Sequence, residues 1–147
     1  MVEILIAASI IVAVVLAAMA VTQKSLLLSR QSVHTAQASF ILEEGAEAMR
    51  IIRDNEWNNI SSLSNVTNYY LDFSGNTWTL TQTASQTGIF TRTVNIASVS
   101  RDGSSGDINS SGSDDPGTKL ITVSVSWTEG GQSIIKTLSF YLSDIFS

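Results

Sequence analysis

Residues 1–24 read MVEILIAASIIVAVVLAAMAVTQK, and between Glu3 and Lys24 lie 20 consecutive uncharged residues, Ile4 to Gln23. At 1.5 Å per residue, a helix of that length spans roughly 30 Å, the thickness of a bilayer's hydrocarbon core. Ser9 is its one polar residue before Thr22. A helix buried in a soluble domain normally keeps a polar stripe, so residence in a membrane at some stage is the better reading of residues 1–23. A cleavable secretory signal carries Lys or Arg ahead of its apolar run. Here the leading charge is the acidic Glu3, although Ala18-Met19-Ala20 has the small-residue form of a cleavage site.

The helical pattern continues beyond this stretch. No proline or glycine occurs before Gly45, and Ser25-Leu26-Leu27-Leu28 leads into a second segment, residues 24–56. There Ala38, Leu42, Ala46, Met49 and Ile52 recur at three- and four-residue steps, widened by Ile41 and Ala48, which predicts one apolar face. Glu43, Glu47, Arg50 and Asp54 fall on the other side, where Glu47–Arg50 and Arg50–Asp54 are spaced to pair along a helix. Gly45 is the first position at which a bend is expected, and the helix should end near Asp54-Asn55. An element of about 50 residues is longer than the rest of the chain can cover. Its first half must find partners in lipid or in other subunits.

From Trp57 onward the period changes, and residues 57–147 read as a β-sheet head. Tyr69–Phe73 and Thr77–Thr81 flank Ser74-Gly75-Asn76, a hairpin signal. Residues 89–99 are β-rich, with Phe90, Val94 and Ile96 on one face. In residues 119–128, Ile121, Val123, Val125 and Trp127 alternate with Thr and Ser. After Glu129-Gly130-Gly131, a last strand places Ile134, Leu138, Phe140 and Leu142 on one side. Strands in sequence joined by short turns predict an antiparallel sheet with one buried face, covered by the stripe at 38–52. The fold class is α+β.

The chemistry available is narrow. A net charge of −5 and a pI near 4.6 argue against nucleic acid as a direct high-affinity ligand. The absence of cysteine excludes a disulfide and a thiolate metal site. His34 has no second histidine or carboxylate at ligand spacing, and no Ser–His arrangement or phosphate-cradling loop is visible, so the reading is of a protein that is not an enzyme and needs no cofactor. The segment 101–117 holds Asp102, Asp107, Asn109, Asp114 and Asp115 among Gly and Ser. Its oxygen-rich side chains suit calcium. The spacing is not that of an EF-hand, and a solvated turn is the ordinary reading. Asn59-Ile60-Ser61, Asn65-Val66-Thr67 and Asn109-Ser110-Ser111 fit the N-glycosylation pattern, which arises readily in so Ser/Thr-rich a chain.

Val2-Glu3-Ile4-Leu5-Ile6-Ala7-Ala8 and the apolar helix that follows resemble the N-terminal segment of mature type IV pilins and pseudopilins. The blocks Glu43-Glu44-Gly45, Arg50-Ile51-Ile52-Arg53-Asp54, Phe90-Thr91-Arg92-Thr93-Val94 and Val123-Ser124-Val125-Ser126-Trp127 are similar to those of pilin-type proteins from small-genome, candidate-phylum bacteria. The resemblance implies a subunit of an extracellular filament serving adhesion, motility or DNA uptake, held in the membrane as a single-pass protein before assembly. It implies that Glu3 pairs with the N-terminal amine of a neighbouring subunit, here that of Met1. It also implies that Ile4, Leu5, Ile6, Ile10, Ile11, Val14, Val15 and Leu16 pack in the filament core. Ala38, Leu42, Met49 and Ile52 would pack the helix on the head.

Partners implied in the same way are further copies of the chain, inner-membrane assembly machinery, a prepilin peptidase and an assembly ATPase. The chain departs from the family pattern in three respects. The glutamate is third rather than fifth, the helix-breaking proline near residue 20 is missing, and so is the C-terminal disulfide. The work of that disulfide would fall to Tyr141, Leu142, Ile145 and Phe146. A minor pilin, a secretion-system pseudopilin and a monomeric membrane-tethered binding module are the alternatives.

Overall fold

The computed structural model describes residues 1–63, 65 and 67–145. Phe146 and the middle of Asn65-Val66-Thr67 lie outside the described residues. The element order is α1 (Val2–Asn55), α2 (Asn58–Ser61), β1 (Tyr70–Ser74), β2 (Thr77–Thr81), β3 (Gln86–Thr87), β4 (Phe90–Arg101), β5 (Ser113–Glu129) and β6 (Gln132–Ser143). The long helix and the antiparallel sheets make this an α+β protein. The chain divides into two compact units, Met1–Gln37 and Ala38–Ser147. The first is helix alone.

The second unit carries the core. Ala38, Leu42, Gly45, Ala46, Ala48, Met49 and Ile52 are the buried residues of α1, the stripe expected from its spacing. Five of them, Ala38, Leu42, Ala48, Met49 and Ile52, share one cluster with Val94 and Ile96 of β4, Ile121, Val123, Val125 and Trp127 of β5, and Leu142 of β6. Each strand contributes alternate residues, as a sheet with one covered face requires. The four-stranded sheet has the order β3-β4-β5-β6. Expectation and structure part in one respect here. Instead of joining that sheet, β1 and β2 form a separate two-stranded hairpin, tied to it by the bridge Tyr69–Val94 with bonds of 2.9 and 2.8 Å. Gly75 and Asn76 close that hairpin at φ 60° and 64°, the left-handed conformations of a two-residue turn.

Three further local expectations change. Helix α1 runs unbroken through Gly45, so that glycine is not a bend. A Cβ there would lie 2.8 Å from Val123 Cγ1 and 3.2 Å from Arg92 Cδ, so its small size lets helix and sheet approach closely. The acidic loop is shorter than expected, because β5 already begins at Ser113. A register shift between Ser98 and Val99 takes Pro116 and Gly117 out of the β4 pairing, which is how a strand accommodates a proline. Val99, just past the shift, is buried outside that cluster and lines a hollow with Ile108, Leu120 and Tyr141. At the C-terminal end Leu142 is buried, whereas Tyr141 and Ile145 are exposed, so the expected packing role falls to Leu142 among the described residues. Tyr141 points to the opposite face by strand alternation.

Candidate functional site

The residues singled out for assembly lie on the first turns of α1. Every residue from 1 to 30 is exposed. Ile4, Leu5, Ile6, Ile10, Ile11, Val14, Val15 and Leu16 each expose half or more of their surface. At about 100° per residue these eight positions surround the helix instead of forming one stripe. The 18-residue window of highest hydropathy averages 3.0, and none of it is buried. A helix of this length and composition is able to cross a membrane. Both hydroxyls of the run are satisfied internally, since Ser9 Oγ donates to the Ile6 carbonyl at 2.8 Å and Thr22 Oγ1 to that of Ala18 at 2.9 Å. Neither hydroxyl needs water, which suits an apolar surrounding. Glu3 sits in the first turn, where the helix dipole favours a negative charge.

The four head-packing residues are brought together. Ala38, Leu42, Met49 and Ile52 are all buried in one cluster. Around them, the outer side of α1 pairs Glu47 with Arg50 as its spacing predicts. The other expected pair is replaced: Asp54 bonds Arg53 at 2.8 Å, and the Arg50 guanidinium lies 5.7 Å from the centre of the Phe140 ring.

Sequence reasoning missed Arg92. Its Nη1 donates to a Glu44 carboxylate oxygen at 2.9 Å and to the Ile41 carbonyl at 3.3 Å, and its guanidinium lies 5.4 Å from the Trp78 ring centre. The signal was parity. In Phe90-x-Arg92-x-Val94-x-Ile96 an arginine occupies an inward position of an alternating strand, so it must find acceptors beneath the helix.

Two of the four aspartates of the 101–117 segment, Asp102 and Asp115, are engaged in the chain's own turns. Asp102 accepts from Ser104 N at 2.8 Å, from Ser104 Oγ and from Ser105 N. The Ser104 hydroxyl, then the two amides, hold its carboxyl below the usual range. Asp115 accepts from Arg101 Nε at 2.6 Å and from Gly117 N at 2.9 Å, and Arg101 beside it is the main cause of its lowered pKa. Among the described residues no group of three or more His, Asp or Glu side chains converges to hold a metal ion, so Asp102, Asp107, Asp114 and Asp115 do not form a calcium ligand set there.

No protein-family model, curated protein or solved structure matches the chain.

Proposed function

We propose that this chain is a structural subunit of a type IV pilin-like extracellular filament, stored as a single-pass membrane protein before assembly. One observation carries the reading: α1 is apolar on all sides and exposed over residues 4–16, then becomes a core element of its own head from Ala38 onward. Each aliphatic side chain left in water forfeits roughly 1.5–3 kcal/mol relative to burial. Eight of them on one helix require an apolar medium. Lipid meets that need for the isolated subunit, and the packed helices of neighbouring copies meet it in a filament. The alanines at 7, 8, 13, 17, 18 and 20 permit close approach between such helices.

Glu3 gives the packing its register. An unpaired carboxylate drawn into an apolar bundle costs several kcal/mol, on the order found for buried ions. A subunit that sets Glu3 against the N-terminal amine of its neighbour avoids that cost, and a misplaced one does not. Filaments a few nanometres wide in material sheared from cells, labelled along their length by an antibody to the head, are the expected finding. Glu3→Ala should abolish incorporation while leaving the protein in the membrane. Normal filament yield from that variant would overturn the register role. Protein confined to the membrane as monomers would favour the tethered binding module, which the same apolar span supports, and a short periplasmic fibre would identify a pseudopilin.

A further inference from the structure

The fold treats the three Asn-x-Ser/Thr triplets of the head differently. Asn59 and Ser61 lie in α2, and residues two apart on a helix do not face each other. Asn65 already donates its carboxamide Nδ2 to Ser98 Oγ at 3.0 Å. Asn109-Ser110-Ser111, in contrast, is exposed throughout and forms a turn, with Gly112 N donating to the Asn109 carbonyl at 3.0 Å. Asn109 N is tied to the Ser100 carbonyl at 2.9 Å, and Asn109 Oδ1 accepts from Ser111 N at 3.0 Å. Such a turn holds the carboxamide by its oxygen. Asn109 Nδ2 and the Ser111 hydroxyl are left without a partner among the described residues. Two positions earlier stands Asp107, exposed, its carboxylate likewise unbonded among the described residues. The corresponding positions before Asn59 and Asn65 are Trp57 and Leu63.

Asn109 also borders the hollow of about 330 Å³ that Val99, Ile108, Leu120 and Tyr141 line, with Ser98 and Ser100 at its side. Ile108 is 44% and Tyr141 50% exposed, so apolar surface lies open beside the unbonded amide. We propose that Asn109 is an N-glycosylation site whose first sugar seats in this hollow against Ile108 and Tyr141. The volume lies at the small end of ligand sites and suits a single ring. A pyranose presents C–H faces to aliphatic and aromatic surface and hydroxyls to the serines. The donor is an oligosaccharide carried on a lipid diphosphate. Asn109 Nδ2 forms a bond to its anomeric carbon as the bond from that carbon to the diphosphate oxygen breaks. The lipid diphosphate leaves with the electron pair, and the amide proton passes to a carboxylate of the transferase. Transferases of the bacterial kind read an acidic residue two places before the asparagine, where a basic side chain can pair with it. Asp107 supplies that residue, and the other two triplets lack it. The site requires the head to lie outside the cytoplasm, which the filament reading entails.

The test uses the folded full-length chain in detergent, a purified single-subunit oligosaccharyltransferase of the bacterial kind and a polyprenyl-diphosphate-linked oligosaccharide. Because the components are purified, the result is independent of export and of filament formation, so the two readings fail separately. Intact mass should show one glycan, and peptide mapping should place it on Asn109. Asn109→Gln, Ser111→Ala and Asp107→Asn should each abolish the addition, whereas Asn59→Gln and Asn65→Gln should leave it unchanged. The glycosylated chain should unfold a few degrees above the bare one, and Tyr141→Ser should keep the glycan but lose that rise. An unmodified chain, or a glycan on Asn59 or Asn65, would overturn the site. A glycan on Asn109 that leaves the unfolding temperature unmoved, or raises it equally in Tyr141→Ser, would overturn the seating.

Discussion

Residues 4–16 and residues 38–52 belong to one uninterrupted helix, yet they obey different rules. In the first segment large aliphatic side chains surround the helix and all of them are exposed. In the second, apolar residues hold to one stripe, small ones such as Ala38, Gly45, Ala46 and Ala48 alternate with Leu42, Met49 and Ile52, and all of these are buried. The difference lies in what must be satisfied. A sheet covers one side of a helix, so the stripe must be narrow and its relief matched to the facing strands. Lipid or a bundle of like helices covers every side and asks only for apolar surface and close approach.

Equal changes in the two segments should have unequal effects. Met49 is fully buried, and Met49→Ala should cost about 2–5 kcal/mol through lost transfer energy and a cavity. Urea unfolding of the head, followed by tryptophan fluorescence, reads it out. Leu16→Ala, in the exposed segment, should leave that unfolding curve unmoved. The converse holds for charge. Val14→Lys at the middle of the apolar run should oppose membrane insertion by about 2.5–3.5 kcal/mol. Fractionation between membrane and soluble material should show the loss, with the head's unfolding midpoint retained.

How far the sequence discloses these regions follows from the same physics. Periodicity carries the apolar run, the stripe of α1 and the alternation of β4, β5 and β6, because each reflects burial by a regular neighbour. What it conceals is irregular or set by distant residues. Pro116 and Gly117 look like loop, and only the shift between Ser98 and Val99 shows that β5 passes through them. Tyr141 and Ile145 are apolar yet exposed, since parity places Tyr141 outward and Ile145 lies beyond the strand end. Gly45 resembles a bend because glycine is a poor helix former, but its distance to Val123 depends on residues far away in the chain. The roles proposed for Glu3 and Met1 in assembly are legible only as sequence, for a single chain does not hold the neighbour they would meet.

Gly45 shows how tightly the head constrains its part of the helix. In an exposed helix, Gly→Ala stabilises by roughly 1 kcal/mol. Here the new methyl would press on Val123, which is fully buried, and on Arg92, which is fixed by Glu44 and the Ile41 carbonyl. Overpacking of that kind costs roughly 1–3 kcal/mol. Gly45→Ala should therefore destabilise the head by about 1 kcal/mol. Val123→Ala, itself destabilising, should cost less in the Gly45→Ala background than alone, a coupling measured by a double-mutant cycle.

The smallest expected effect lies at Asp102 and Asp115, which are half-buried at the surface of the head, where solvent screening keeps their contribution small. Both carboxyls are held below their ordinary value, Asp102 by the Ser104 and Ser105 donors and Asp115 chiefly by Arg101. The unfolded chain then binds their protons more readily than the folded one. Their contribution is complete above the unfolded pKa near 3.9, declines as pH falls from there through the depressed folded values, and is gone below both. Thermal unfolding between about pH 5 and pH 2 should thus show a shallower acid decline in Asp102→Asn and in Asp115→Asn than in the parent. Both shifts come mainly from hydrogen bonds at contact distance, with the longer-range attraction of Arg101 the smallest cause at Asp115, so 1 M salt, at a Debye length of about 3 Å, should leave both effects largely in place. Suppression of both by salt would mean that net charge, rather than these two local arrangements, governs the acid limb of the head.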